Sequence, residues 1–285
     1  MAEWDLDNLG SLLKSLDKME FDLSSIGFDE KDLSKMIPQE IKAGLIDDDE
    51  VPEPTERRCK PGDLWQLGEH RLLCGDSTNV QHIERLIGGE KVHSLITDPP
   101  YGVNLGKHGA ANETRDGFQK RKGYRTIDDS LDAFKENVVP AIKYGIEITE
   151  RAAVFGVPPN VWDFPPPHVF GGIYVSAATG RNAWGFSNFW VILLYGSRPD
   201  LHKESYPVVL NSNASADKVD HPTSKPIEWM TWLVEMASRK YENILELFCG
   251  SGSTLIACEK TNRRCFGMEI GPPIVTGKQI GRAHV

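Results

Sequence analysis

Short apolar runs alternate with amphipathic stretches along most of the chain. Val92-His93-Ser94-Leu95-Ile96-Thr97, Ala152-Ala153-Val154-Phe155-Gly156, Gly172 to Ala177, Phe189 to Tyr195, Ile244 to Phe248 and Arg264 to Ile270 have the length and the β-branched and aromatic content of covered strands. Val80 to Ile87, Asp128 to Ile148, Pro226 to Tyr241 and Ser253 to Asn262 read as helices. In the second of these, Leu131, Phe134, Val138, Ile142 and Ile146 make one stripe. Pro226 suits a helix start. Gly62 to Ser77 reads as a hairpin that ends in a strand. Strands alternating with helices predict a mostly parallel twisted sheet with helices on both faces, an α/β fold.

Several stretches stand outside that alternation. Residues 1–56 form an acidic helical segment and linker. Leu6, Leu9, Leu12, Leu13 and Leu16 share a helical face, Leu33, Met36, Ile37, Ile41 and Leu45 repeat the pattern, and Asp47-Asp48-Asp49-Glu50-Val51-Pro52-Glu53-Pro54 is a charged, proline-stiffened boundary. Residues 102–127 are polar and without period, the mark of a functional or unstructured loop. Residues 157–188 are largely irregular, with Pro158 to Pro167 rich in proline; Trp162, His168, Arg181 and Trp184 there are either base contacts or plugs of the core. Residues 271–285 break the pattern at Gly271-Pro272-Pro273, and Ile280 to Val285 spells one reading frame of a common sequencing adapter. That tail is set aside from the fold.

Charge changes the picture only when it is divided. The chain of 285 residues carries a formal charge of −9, which looks wrong for a nucleic-acid enzyme. Residues 1–56 hold 16 acids against 5 lysines, so the remainder carries 25 acids and 27 bases. The acidity belongs to the N-terminal segment, and residues 102–127 are locally basic: Lys107, Arg115, Lys120, Arg121, Lys122 and Arg125 against Glu113 and Asp116. Such a loop supplies sequence-independent affinity for phosphates. Five cysteines with no C-x-x-C pair argue against a disulfide framework and a structural zinc site. The longest apolar stretch is too short to span a bilayer, and no signal segment opens the chain, so a cytoplasmic protein is expected.

Candidate chemistry gathers at strand ends. Asp98-Pro99-Pro100-Tyr101 closes the Val92–Thr97 run, and its prolines force the strand to stop. Ligands bind at such carboxyl ends in open α/β sheets. Leu245 to Thr254 is a second strand running through Gly250-Ser251-Gly252 into a helix, and Glu269 closes the strand after it. Small residues let a backbone approach a ligand, a helix N-terminus favours an anion, and a carboxylate there can take both ribose hydroxyls. A nicotinamide-binding fold would share that turn and Glu269, but Leu255 stands at its third glycine position, and it gives Asp98 and Tyr101 no role. His221-Pro222-Thr223-Ser224-Lys225-Pro226 lies between the two elements.

Taken together in this order, the three elements resemble those of the β-ordered, amino-methylating DNA methyltransferases that use S-adenosylmethionine. The resemblance covers about residues 57 to 270. It implies a Rossmann-like methyltransferase fold with a circularly permuted motif order. In many relatives a ParB-like domain comes first, and residues 1–44 look like the segment just after such a domain. The implied catalytic group is Asp98, Pro99, Pro100 and Tyr101. The implied cofactor-binding residues are Asp76, Thr223, Ser224, Lys225, Phe248, Gly250, Gly252, Ser253, Thr254 and Glu269, with Thr223 and Lys225 at the methionine end. Asp76 has a second reading, as the N-cap of the helix Val80 to Ile87. The implied partner is double-stranded DNA, and Asp rather than Ser at the tetrapeptide's first position tilts the target toward adenine N6 over cytosine N4. A non-catalytic DNA-binding remnant is the remaining reading. No metal is required, and no cysteine nucleophile is expected, which leaves Cys249 as a small buried residue.

Overall fold

The apolar runs become the inner strands of a nine-stranded sheet. A computed structural model describes residues 59–102, 130–156, 160–176, 180–182, 185–198, 207–212 and 225–270, all within the unit Ala43–Val285. The strands are β1 (Leu64–Leu67), β2 (His70–Cys74), β3 (Ser94–Thr97), β4 (Arg151–Gly156), β5 (Val169–Val175), β6 (Gly180–Asn182), β7 (Gly185–Ser187), β8 (Phe189–Gly196), β9 (Val209–Ser212), β10 (Asn243–Glu246) and β11 (Arg264–Glu269). The large sheet runs β1-β2-β11-β10-β3-β4-β8-β5-β9, and β6 and β7 pair separately.

Strands β2, β11, β10, β3 and β4 are mutually parallel, so their carboxyl ends share one edge. β1 pairs antiparallel with β2, and β8 lies antiparallel between β4 and β5. Every residue of β3, β4 and β10 is buried, as a parallel strand covered on both faces requires. The cover comes from α1 (Val80–Ile87), α2 (131–147), α3 (Ile227–Ala237) and α4 (Ser253–Lys260). Ile83 and Leu86 of α1 and Phe134 and Ile142 of α2 pack with Leu95, Val154 and Leu245 on one face. Met230 and Leu233 of α3 and Leu255 of α4 pack with Ile96, Ala153 and Ile244 on the other. The α/β sheet expected from the alternation is what forms.

Where the elements depart from expectation, local chemistry accounts for it. α2 passes through a π-helical turn, Phe134–Val138, immediately before Pro140. Pro140 lacks an N–H and crowds the preceding turn, so the regular ladder is interrupted there. α3 ends at Ala237, not Tyr241, because Ser238 is extended and Tyr241 takes a positive φ of 66°. β6, β7 and β9 were not expected: each is three or four residues long and carries no alternation to read. Of the residues read as either base contacts or core plugs, His168 and Trp162 are both exposed, Trp162 at 80%, so neither plugs the core. Trp162 instead meets the half-exposed ring of Phe170 edge to face. No helix among the described residues is long and apolar enough to cross a membrane.

At the opposite edge of the parallel strands, Arg151 is buried against Glu242 at 2.6 Å and donates to Ser94 Oγ and the Ala237 carbonyl, both at 3.3 Å. It ties β3 and β4 to the end of α3. Arg151→Ala would leave the buried Glu242 carboxylate with Arg239 alone, through its N–H at 2.9 Å and its guanidinium at 3.6 Å, and is expected to cost about 3 kcal/mol in urea unfolding. The double change Arg151→Met with Glu242→Leu should recover most of that loss.

Candidate active site

Two adjacent strand ends build the site. β3 and β10 pair in parallel, Ser94 beside Ile244 and Leu95 beside Leu245. Asp98-Pro99-Pro100-Tyr101 therefore leaves the sheet next to Phe248-Cys249-Gly250-Ser251-Gly252. Gly250 and Gly252 have φ of 51° and 83°, a region that suits glycine, and Gly252 caps α4, its carbonyl accepting from Ile256 N at 3.0 Å. On the far side of β10, Glu269 ends β11 and accepts a hydrogen bond from Gly250 N at 2.8 Å. A carboxylate is thus anchored beside the glycine turn, and Ser253 and Thr254 open the helix behind it.

One residue that carried no motif links both strand ends. Glu246 is 1% exposed. Its Oε1 accepts from Thr97 Oγ1 at 2.6 Å and from Phe248 N at 3.0 Å, and its Oε2 accepts from Thr254 Oγ1 at 2.6 Å. Burial raises this carboxyl to about 7, hydrogen bonds from Thr254, Thr97 and Phe248 oppose the rise, and the Asp98 charge adds to it. The available signal was an acid in the middle of the apolar run Ile244-Leu245-Glu246-Leu247. An ionisable residue at a fully buried strand position needs partners.

The Asp98 corner carries its own contacts. Tyr101 donates its hydroxyl to Asp98 Oδ1, and Lys225 donates its ammonium to Asp98 Oδ2. Lys225, expected at the methionine end, is only 6% exposed and lies over the rings of Trp190, Phe155 and Tyr101, at 4.5, 5.1 and 6.0 Å from their centroids. Asn160 donates to the Tyr101 carbonyl and holds the corner from the segment after β4. Phe155, Asn160 and Trp190 carried no motif and were not foreseen. Asp76 lies beyond β2 and does not cap α1: Asn79 does, accepting from Gln81 N at 3.0 Å. Asp76 Oδ1 instead accepts from Thr78 N and Oγ1 at 2.9 and 2.7 Å. Cys249 is buried, and burial pushes its thiol well up, which makes it a poor nucleophile. Thr223 and Ser224 lie outside the described residues, as do Lys107, Arg115, Lys120, Arg121, Lys122, Arg125 and Trp184.

The raised Glu246 carboxyl carries a sign that can be tested. The folded state keeps this proton up to about 7 while the unfolded chain releases it near 4.5, so stability falls as pH rises between those values and is flat above. Glu246→Gln removes that slope. Urea unfolding between pH 5 and 8 should show the wild type losing up to about 3 kcal/mol relative to Glu246→Gln across the window.

Known proteins similar to this chain are DNA methylases and methyltransferases. Residues 160–279 match a DNA methylase family, and residues 7–61 match a ParB-methyltransferase HTH domain. The second match overlaps most of the acidic segment 1–56 and runs past residue 56. The first ends just before Ile280. "Putative methylase YubD" of Escherichia coli K12 is 26% identical over 214 residues, covering 70% of this chain and 84% of that protein. The type II methyltransferase M.HindIII of Haemophilus influenzae is 36% identical over 55 residues, 19% of this chain and 18% of that protein. The PvuII DNA methyltransferase, titled cytosine-N4-specific, shares the fold with a TM-score of 0.51 at 13% identity, covering 78% of this chain and 89% of that one. An acidic, proline-locked corner beside a glycine turn on a Rossmann-like sheet is thus carried by a chain that is similar to DNA methylases and whose residues 160–279 match a DNA methylase family.

Proposed function

We propose that the chain methylates the exocyclic N6 of adenine in double-stranded DNA, on a base flipped out of the helix, with S-adenosylmethionine as donor. The observation that carries this reading is the pairing of β3 with β10, which sets Asp98 beside the glycine turn. The residues present fit the donor. Glu269 is fixed by Gly250 N where a ribose would sit, Gly250 and Gly252 leave room for close approach, and Phe248, Ser253 and Thr254 border the same turn. Asp76, Thr223 and Ser224 complete the proposed pocket. When bound, the donor supplies an electrophilic methyl carbon, which joins nitrogen as the carbon–sulfur bond breaks and its electron pair stays on sulfur.

The chain's own residues solve the remaining problem, a poor nucleophile. The amine lone pair is delocalised into the base ring. Asp98 accepts one amine hydrogen and the Pro99 carbonyl the other, which draws nitrogen toward tetrahedral geometry and localises the pair. Positioning and fixed acceptors carry the acceleration. The proton released from nitrogen leaves along the hydrogen bond to Asp98. Tyr101 stacks on the extruded ring, since the target nitrogen is unreachable inside a stacked duplex. Lys107, Arg115, Lys120, Arg121, Lys122 and Arg125 grip the phosphate backbone.

Labelled methyl transfer to unmethylated DNA, with digestion and nucleoside chromatography of the product, tests the reading. Label should appear in N6-methyldeoxyadenosine, and Asp98→Ala should lower the rate by about a hundredfold or more. Label in N4-methyldeoxycytidine, with the base and position named for the PvuII enzyme, would keep the mechanism and change the target. Absence of label, with DNA binding intact, would favour a non-catalytic remnant. For the basic loop, replacing Lys120, Arg121 and Lys122 by alanine should weaken DNA binding. Each lost phosphate contact should flatten the log K against log salt slope by about 0.9.

A further inference from the structure

Lys225 is in an unusual place for a lysine. Its ammonium is withdrawn from water, pairs with Asp98 and is walled by the rings of Trp190, Phe155 and Tyr101. Ring faces are electronegative and attract cations within about 6 Å, more strongly where water is excluded. The walls come from separate elements: Tyr101 follows β3, Phe155 lies in β4, and Trp190 lies in β8 with its ring tilted against Trp229 of α3 at 6.1 Å. Three strands and a helix therefore converge on one point of positive charge at the catalytic carboxylate.

That point is also occupied. Asp98 Oδ1 takes the Tyr101 hydroxyl and Oδ2 takes the Lys225 ammonium, and a second positive charge brought among the same rings would meet that ammonium and be repelled unless the Lys225 contact opens. The Lys225 contact is the one suited to opening, because a compact charge on a flexible four-carbon stem can withdraw while the strand-end tyrosine is tethered through Asn160. Methyl transfer from a sulfonium passes a positive charge through the space between sulfur and the accepting nitrogen. We propose that Trp190, Phe155, Tyr101 and Asp98 form a cation cage for that charge, and that Lys225 fills it as a resident cation until the donor arrives. Trp190 and Phe155 then act on the reaction by favouring a cation at the transfer point. Lys225 is a positioning residue that holds the cage and Asp98 in shape.

This inference rests on the donor assigned above, and binding calorimetry separates the two without any turnover. Sinefungin carries an ammonium where the sulfonium stands, whereas S-adenosylhomocysteine is a neutral thioether of the same shape. The readout is the ratio of their dissociation constants in the wild type, Lys225→Met and Trp190→Leu. Removing the resident cation should raise the preference for sinefungin about fivefold or more, and removing the Trp190 ring should lower it by a similar factor. Trp190→Leu leaves the ion pair intact, so it reads the cage even if Lys225→Met folds poorly. Equal weakening of both ligands in Lys225→Met, with an unchanged ratio in Trp190→Leu, would overturn the cage and return Lys225 to the methionine end. Failure of the wild type to bind either ligand would overturn the donor assignment, and this inference with it.

Discussion

Glu246 reaches Thr97, 149 residues away in sequence, and Thr254 on the next helix, through one buried carboxyl group. Thr97 is the last residue before Asp98, and Thr254 is in the first turn after the glycine loop. Each hydroxyl donates to a different oxygen, and the Phe248 amide adds a third donor. The strand pairing of β3 with β10 brings the two ends together, and this group fixes how they are turned. Leaving any of its acceptors unmet inside the sheet would cost the full desolvation of a polar group, so the arrangement has few ways to relax. The same burial holds the carboxyl near neutrality, which limits the negative charge set next to Asp98.

From that joint the rest of the site is built in layers. The prolines after β3 stop the strand and turn Asp98 and Tyr101 out of the sheet. Glycines after β10 let the chain turn at once into α4, and Glu269 ends the neighbouring strand against the turn's first amide. Lys225 enters from the start of α3 and neutralises Asp98, supported by rings from two further strands. The Asp98 corner and the glycine turn are thus separate strand ends held by one sheet. This is why the order of the motifs along the chain can differ from their order in space.

Much of this was legible in the sequence because it is local. Two prolines stop a strand, glycines permit a turn, and fully apolar runs between amphipathic stretches imply parallel strands with helices on both faces. The carboxylates at strand ends, Asp98 and Glu269, could be named for the same reason. What was hidden depends on long-range contacts. Phe155 and Trp190 sit in apolar runs that look like any core, and only the antiparallel insertion of β8 beside β4 brings their rings to Lys225. Asn160 stood in a proline-rich stretch without period. Asp76 left two readings open, and the side chain of Asn79 three residues later settled which residue caps α1. Glu246 was readable in principle as a charge in a buried strand, but its partners were not. The short strands β6, β7 and β9 have too few residues to show alternation.

Everything proposed for the site requires the donor's reactive carbon and Asp98 to share the edge where β3 and β10 end. A crystal structure of the chain with S-adenosylmethionine puts that requirement to the test. It should show the ribose on Glu269, the sulfonium among Tyr101, Phe155 and Trp190, and the Lys225 ammonium moved off Asp98. A donor bound away from the Gly250 turn, or bound there with Lys225 still on Asp98, would contradict it.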